Sequence, residues 1–296
     1  MLDGKALAEK IRRDHASAID ARRRRGRTLR LVAIQVGSVA AAEAFLRGQR
    51  KGADAWGIDY DLRTLPGDAP EDDVRSAIQA ANEDPGVTGI LLQMPLPKGM
   101  HARALQREIA PSKDVEGVHP ENLGHVVYGR DGLAPCTALA VMKLIKSSGL
   151  ELRGAEAVVI GHSEIVGKPV ALMLLARDAT VTVCHVFTKD VASHTRTADL
   201  IVIAAGKPGL LRADMVKSGA VVIDVGINEV TGPDGKKRLV GDADYDGLVA
   251  KGCRVTPVPG GVGPVTVAML MRNTVLAAES IPPADLDPTP HLFPTE

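Results

Sequence analysis

Aromatic side chains are scarce: three Phe, three Tyr and one Trp among 296 residues. A surface that stacks nucleic-acid bases needs more rings than that. An excess of one charge sign is also lacking. Lys plus Arg number 36 and Asp plus Glu number 36, so no net field attracts nucleic acid or an acidic membrane. No apolar run reaches the roughly 18 residues of a bilayer span. The only cysteines, Cys136, Cys184 and Cys253, are odd in number and lack metal-like spacing. The opening MLDGKALAEKIRRDH is charged and helix-like, with no apolar signal core. These absences predict a cytoplasmic enzyme with reduced thiols, binding neither nucleic acid nor membrane and holding no metal.

What is present is ordinary globular composition, 45% hydrophobic and 24% charged, too apolar for a disordered chain. The length suits two domains. Leu2, Ala6, Leu7, Ile11 and Ala18 recur at helical spacing, and the run Arg22 to Arg25 closes that helix, where cations suit the C-terminal dipole. Leu29 to Val36 reads as a strand, Ala40 to Trp56 as a helix stopped by Gly57, and Thr88 to Gln93 as a buried strand. Met94-Pro95-Leu96-Pro97 cannot continue a central strand, so it forms a rigid loop at the strand's C-terminal end. In the second half, strands are expected at 157–160, 180–184, 200–204 and 220–224, with a helix at 165–176. β-branched runs separated by crossover helices build a parallel sheet, whose ligands sit at the strands' C-terminal ends. A last apolar helix from Val265 to Ser280 bridges the lobes, and a proline-rich tail follows.

Gly161-His162-Ser163-Glu164-Ile165-Val166-Gly167-Lys168-Pro169 follows a strand and opens a helix. Glycine there lets the backbone approach a pyrophosphate, and the helix N-terminus offers free N–H groups. The second glycine of the usual G-x-G-x-x-G pattern is Ser163. The acidic residue that normally grips a ribose 2′-hydroxyl about twenty residues on is also missing, because the next strand ends Cys184-His185-Val186-Phe187. That leans towards a 2′-phosphate, yet no Arg stands at His185 or Val186. Charge therefore leaves NADP and NAD both open.

Several motifs combine with that turn. They are Gln93-Met94-Pro95-Leu96-Pro97, Lys113-Asp114-Val115, Asn122-Leu123-Gly124, Pro135-Cys136-Thr137, Asp224-Val225-Gly226-Ile227-Asn228, and Pro259-Gly260-Gly261-Val262-Gly263-Pro264. Together they resemble the methylenetetrahydrofolate dehydrogenase/cyclohydrolase family over about residues 2 to 280. The resemblance implies a two-lobed α/β protein, usually a homodimer. Its N-terminal catalytic lobe would span 1–137 and its Rossmann-like, parallel-sheet NAD(P)-binding lobe 138–269. Residues 270–296 would be a returning helix and tail. It implies a tetrahydrofolate derivative as substrate, bound between the lobes, and NADP as cofactor, with NAD possible. The implied cofactor residues are Gly161, His162, Ser163, Ile165, Val166, His185, Ala205, Gly206, Gly226, Ile227 and Thr266. Pro259, Gly260 and Gly261 would line the folate.

The chain departs from the family pattern at the chemical centre. The family's active-site helix carries a Tyr and, four residues on, a catalytic Lys; here those positions hold Phe45 and Gln49. A family serine is Ala42, the pterin-holding Asp is Glu116, and the Pro after the Pro-Cys-Thr motif is Ala138. The cleft glutamine is kept as Gln93. Gln49, Gln93 and Glu116 are thus the candidate catalytic residues, and with Phe45 they also bind substrate. Arg50 and Lys51 point about 100° and 200° away from Gln49 on a helix, so neither replaces it. Hydride transfer asks for proximity and alignment, whereas hydrolysis asks for proton transfer, which Gln49 cannot perform. The expectation is a dehydrogenase acting on 5,10-methylenetetrahydrofolate with cyclohydrolase activity lost or weak. The alternatives are a bifunctional enzyme making 10-formyltetrahydrofolate, a non-catalytic folate or nucleotide binder, and a relative recruited to other one-carbon or pterin chemistry. His101, His119 and His125 match no metal spacing, Asp242 and Asp244 read as a loop pair, and Cys184 reads as a buried small residue.

Overall fold

A computed structural model describes residues 2–17, 19–20, 28–37, 40–130, 132–232 and 235–279. Ala18, the Arg22 to Arg25 run, the tail from 280 and the side chains of 40–44, that of Ala42 included, lie outside the described set.

Helix α1 (Gly4–Asp14) starts at Asp3, whose carboxylate accepts from the Lys5 and Ala6 amides at 2.9 and 3.1 Å. The N-terminal lobe then alternates β1 (Arg30–Val36), α2 (Ala40–Trp56), β2 (Asp59–Leu65), α3 (Glu71–Glu83) and β3 (Gly89–Leu92). Its strands lie in the order β2-β1-β3, all parallel. Short helices α4 (Ala102–Gln106) and α5 (Pro120–Val127) follow, and α6 (Cys136–Ser148) carries the chain into the second lobe. The predicted strands and the 40–56 helix are present, but β2 and α3 are additions that the sequence reading did not contain.

The second lobe runs β4 (Glu156–Ile160), α7 (Gly167–Leu175), β5 (Thr180–Cys184), α8 (Val191–Thr195), β6 (Leu200–Ile203) and β7 (Val221–Asp224). The hairpin β8 (Asn228–Thr231) and β9 (Lys237–Val240) precedes α9 (Tyr245–Ala250) and β10 (Arg254–Val255). The five-stranded sheet is wholly parallel, in the order β10-β7-β6-β4-β5. It is a doubly wound, Rossmann-like sheet whose order reverses between β4 and β6. Ligands bind outside the strands' carboxyl ends at such a switch point. Helix α7 begins at Gly167, two residues later than expected, because Val166 is still non-helical at φ −131° and ψ −71°.

The last helix, α10, spans Val262–Ala277. It starts inside the Pro259–Pro264 stretch, three residues before the predicted Val265, since Pro264 fits a helix's first turn. The 269/270 domain limit therefore falls within one continuous helix. Likewise the 137/138 limit falls inside α6. Helix α10 packs against α1, α2 and α6, and one hydrophobic core joins Leu31 and Trp56 of the first lobe to Val159 and Met269.

At Gly4 the start of α1 touches the turn that launches α10. A Cβ there would stand 1.8 Å from the Gly261 carbonyl oxygen and 2.7 Å from that of Gly260. Backbone blocks it on the far side, so no rotamer change relieves the clash. Gly4→Ala is expected to lower Tm by about 3–10 °C in thermal denaturation, and an unchanged Tm would show that the contact is dispensable.

Candidate active site

A cavity of about 780 Å³ lies between α1, α2, the Pro259–Gly261 turn and the loop after β7. Its lining includes Phe45, Val166, Gly226, Ile227 and Pro259 to Gly261. Beside it is a recess of about 60 Å³, bounded by Gln49, Leu91, Glu116, Pro135, Cys136 and Ile165 among others. Phe45, Thr137 and Thr266 line both, so recess and cavity form one cleft. Phe45 is 44% exposed and presents a ring to the cleft. None of the described residues lining the recess carries an ammonium, guanidinium or imidazole. Lys51 lines the larger cavity instead.

Gln49 projects from α2 and is 0% exposed. Its Oε1 accepts from Gln93 Nε2 at 2.6 Å and from the Tyr60 hydroxyl at 2.7 Å. Gln93 stands just past β3, its own amide donating to the Ile34 carbonyl of β1 at 2.8 Å. Gln49 Nε2 is buried and has no hydrogen-bond partner among the described residues. An unmet buried donor costs roughly 1–3 kcal/mol. Tyr60 was not foreseen in the sequence reading. Burial pushes its hydroxyl up to about 12, so it remains a donor at neutral pH.

Glu116 sits on a segment pinned from several sides. Lys113 Nζ donates to the carbonyls of Ala81, Asn82 and Asp84 at 3.1, 2.7 and 2.8 Å, capping the end of α3. The buried Asp114 carboxylate accepts from the amides of Gly117 and His119 and from Asn122 Nδ2, at 3.0, 2.7 and 2.9 Å. Asn273 of α10 donates to the carbonyls of Val115 and Ala134 at 2.9 and 3.1 Å. Desolvation in the recess, helped by the nearby Asp114 charge, pushes Glu116 up to about 8. The Cys136 thiol donates to the Val115 carbonyl at 3.1 Å, and burial pushes it well above its ordinary range, which makes it a poor nucleophile.

Across the cleft, Gly161 has φ 111°, and a Cβ on it would lie 2.3 Å from the Ala204 carbonyl oxygen at the β4/β6 switch point. A Cβ on Gly167 would lie 2.0 Å from the Gly161 carbonyl oxygen. Both glycines let backbone pack on backbone where a Cβ would clash, the close strand–helix approach that a pyrophosphate-binding turn uses. Ser163 Oγ accepts from the Val166 and Gly167 amides at 3.2 and 3.4 Å, ordering the start of α7. The His162 and His185 rings lie 5.1 Å apart, joining the turn to the end of β5, while Val186 is 88% exposed.

The expected Asp242 and Asp244 loop pair divides. Asp244 caps α9 through the Gly247 amide at 3.2 Å. Asp242 is buried, its Oδ2 accepting from the Ala205 and Gly206 amides at 2.7 and 2.9 Å and its Oδ1 from Asn228 Nδ2 at 2.8 Å. Asp224 accepts from the amides of Gly226, Asp242 and Ala243 at 2.9, 3.0 and 2.9 Å. Desolvation pushes Asp224 up to about 6 despite those bonds, with the neighbouring Asp242 charge adding to the rise.

A parallel-sheet lobe with a glycine-lined nucleotide crevice, facing a second lobe across a polar recess, defines the class of two-domain nucleotide-dependent enzymes. Within it, the chain belongs to the tetrahydrofolate dehydrogenase/cyclohydrolase family. Residues 2–116 match that family's catalytic domain and 135–281 its NAD(P)-binding domain. The chain is 49% identical over 279 residues to bifunctional protein FolD 3 of Roseobacter denitrificans, covering 94% of this chain and 95% of that protein. It superposes on the bifunctional FolD enzyme of Campylobacter jejuni with TM-score 0.89 at 43% identity, covering 94% and 98% of the two chains. The Trypanosoma brucei methylenetetrahydrofolate dehydrogenase-cyclohydrolase, solved with NADP and an inhibitor, matches at TM-score 0.88 and 39% identity, over 94% and 97%.

The raised Glu116 carboxyl sets a pH dependence. Native Glu116 keeps its proton up to about 8, whereas the unfolded chain releases it near 4.5, so stability falls as pH rises between these values. Asp224 adds a fall of the same sign only between 3.8 and about 6. From pH 6 to 8 Glu116 gives Tm a downward slope, to which the buried Asp114 carboxyl, also raised by desolvation, adds with the same sign. Glu116→Gln should flatten it, and an equal slope in the variant would refute the raised value.

Proposed function

We propose that the protein oxidises 5,10-methylenetetrahydrofolate to 5,10-methenyltetrahydrofolate with NADP, NAD being the alternative cofactor, and that its cyclohydrolase activity is lost or weak. What supports this reading is Gln49, a neutral amide where the resemblance implies the family's catalytic lysine, in a recess whose described lining has no cationic side chain. The NADP bound by the Trypanosoma brucei relative and the acid-free end of β5 support the cofactor assignment. When bound, the nicotinamide supplies the hydride acceptor. The chain's own residues supply the rest. The glycine cradle at Gly161 and Gly167 seats the nucleotide, with His162 and His185 beside its ribose. Phe45 stacks on the pterin ring, and Pro259 to Gly261 wall the folate. Glu116, protonated near neutral pH, both donates to and accepts from pterin groups. Gln49 and Gln93 orient the one-carbon end. Of these only Glu116, raised to about 8, titrates near neutrality, and the amides of Gln49 and Gln93 exchange no proton in the way that opening the methenyl ring demands. The homodimer that the resemblance implies belongs to the same proposal.

The bifunctional reading draws on the names of the relatives, and one experiment separates the two. The protein is expected to reduce NADP with methylenetetrahydrofolate, while methenyltetrahydrofolate hydrolysis stays near the buffer rate. Gln49→Lys is expected to recover part of the ~10²–10⁴-fold acceleration that acid–base groups supply. Wild-type hydrolysis as fast as the dehydrogenase step would sink the reading. For the cofactor, Val186→Arg should lower KM for NADP and leave that for NAD unchanged in steady-state assays.

A further inference from the structure

The geometry points to Arg103 as a cofactor-binding residue that the first lobe lends to the nucleotide turn of the second, with Glu164 holding its place until a pyrophosphate arrives. This role rests on the dinucleotide reading of that turn and adds a contact from the facing lobe. Glu164 lies inside the turn, between Gly161 and Gly167. Ile165 beside it lines the recess with Gln49 and Glu116 of the first lobe, so the turn looks across the cleft. Arg103 comes to it from α4. Its Nε stands 3.0 Å from Glu164 Oε2, while Lys168 Nζ, four residues on from Glu164, stands 3.9 Å from Oε1. Among the described residues the Arg103 guanidinium has no other ion-pair partner.

The local charges account for this arrangement. A carboxylate within a phosphate-seating turn repels the anion that the turn is shaped for. Here one carboxylate is flanked by two cations, so the excess is positive. A guanidinium is a planar fork of N–H donors that matches phosphate oxygens in pairs. With Nε on Glu164, both Nη nitrogens are left for such oxygens.

The pair is too wet to serve as a fastener. Its side chains are 77% and 44% exposed, and ion pairs of that kind contribute little to stability. Arg103 therefore exchanges Glu164 for a phosphate at small cost. The backbone that presents it is fixed by contrast. Leu105 of α4 is fully buried, and the His101 amide just ahead of the helix donates to Glu71 of α3 at 2.7 Å. A seated dinucleotide is then held from both lobes. The pyrophosphate is common to NADP and NAD, so the contact strengthens both alike and does not choose between them.

The test is the Kd of NADP and of NAD, measured by calorimetry on Arg103→Met, Arg103→Lys and Glu164→Gln, with the Tm of each cofactor-free variant as the check on folding. Surface changes of this kind should leave Tm near the wild-type value. Arg103→Met should raise both Kd values about five- to twentyfold, the worth of a charge-assisted bond at an exposed site. Arg103→Lys should keep part of the affinity, having the charge without the fork. Glu164→Gln removes the repulsion and frees Arg103, so both values should fall or stay level. These directions separate binding from structure, because a merely structural pair loses the same bond in either variant. Unaltered Kd values in Arg103→Met, a rise for NADP alone, or a rise in Glu164→Gln overturns the proposal. Wild-type protein that binds a dinucleotide without oxidising methylenetetrahydrofolate overturns the proposed activity alone, since the role of Arg103 is still read in Kd. Wild-type protein that binds neither dinucleotide overturns both.

Discussion

The side chain of Asn273 is the tie on which the cleft depends. It is fully buried on α10 and donates to the carbonyls of Val115 and Ala134, one ahead of α5 and one just ahead of α6. Buried backbone oxygens outside regular structure need partners of this kind. The result is that the Glu116 segment, the start of α6 and the helix begun by the Pro259–Pro264 stretch are mechanically one unit. Glu116 faces Gln49 because α10 holds both the strand-end loop and, through its packing on α2, the helix that carries Gln49.

Within that frame the recess works by polarity rather than by charge. The Gln49 amide and the Glu116 carboxyl, with its raised proton affinity, line a small volume with Leu91, Cys136 and Ile165, while a second amide and a phenol, from Gln93 and Tyr60, bond to the Gln49 oxygen. The two amides and the phenol orient a ligand without titrating near neutrality, whereas the Glu116 carboxyl, raised to about 8, is the group of the four that gains and loses charge there. The opposite wall is equally specialised, in backbone rather than side chains. At Gly161 and Gly167 backbone meets backbone where any Cβ would clash.

Much of this was legible in the chain. The alanine-rich 40–56 helix ends at a glycine, and the β-branched runs at 180–184 and 200–204 have no competing periodicity. The glycine turn and the Pro259–Pro264 stretch were readable because so few backbones need them. Strand β2 was not readable. Its sequence, Asp59-Tyr60-Asp61-Leu62-Arg63-Thr64-Leu65, is charged and only half-buried, as befits an edge, so no hydrophobic alternation announces it. Tyr60 was missed with it. The bonds of Asp224 and Asp242 were invisible for another reason. Residues 18 apart meet only because β7 and the β8–β9 hairpin fold back on each other, and local pattern carries no trace of that. The start of α10 was misplaced because prolines read as breakers, although the first turn of a helix tolerates them.

The two buried aspartates draw three stretches of chain together. Backbone amides of Ala205, Gly206, Gly226, Asp242 and Ala243 all end on their carboxylates. Loops at the mouth of a nucleotide crevice ordinarily surrender freedom when they grip, and that surrender weakens the grip. Here the disorder is removed during folding, so on the proposed reading a dinucleotide would meet a seat already set.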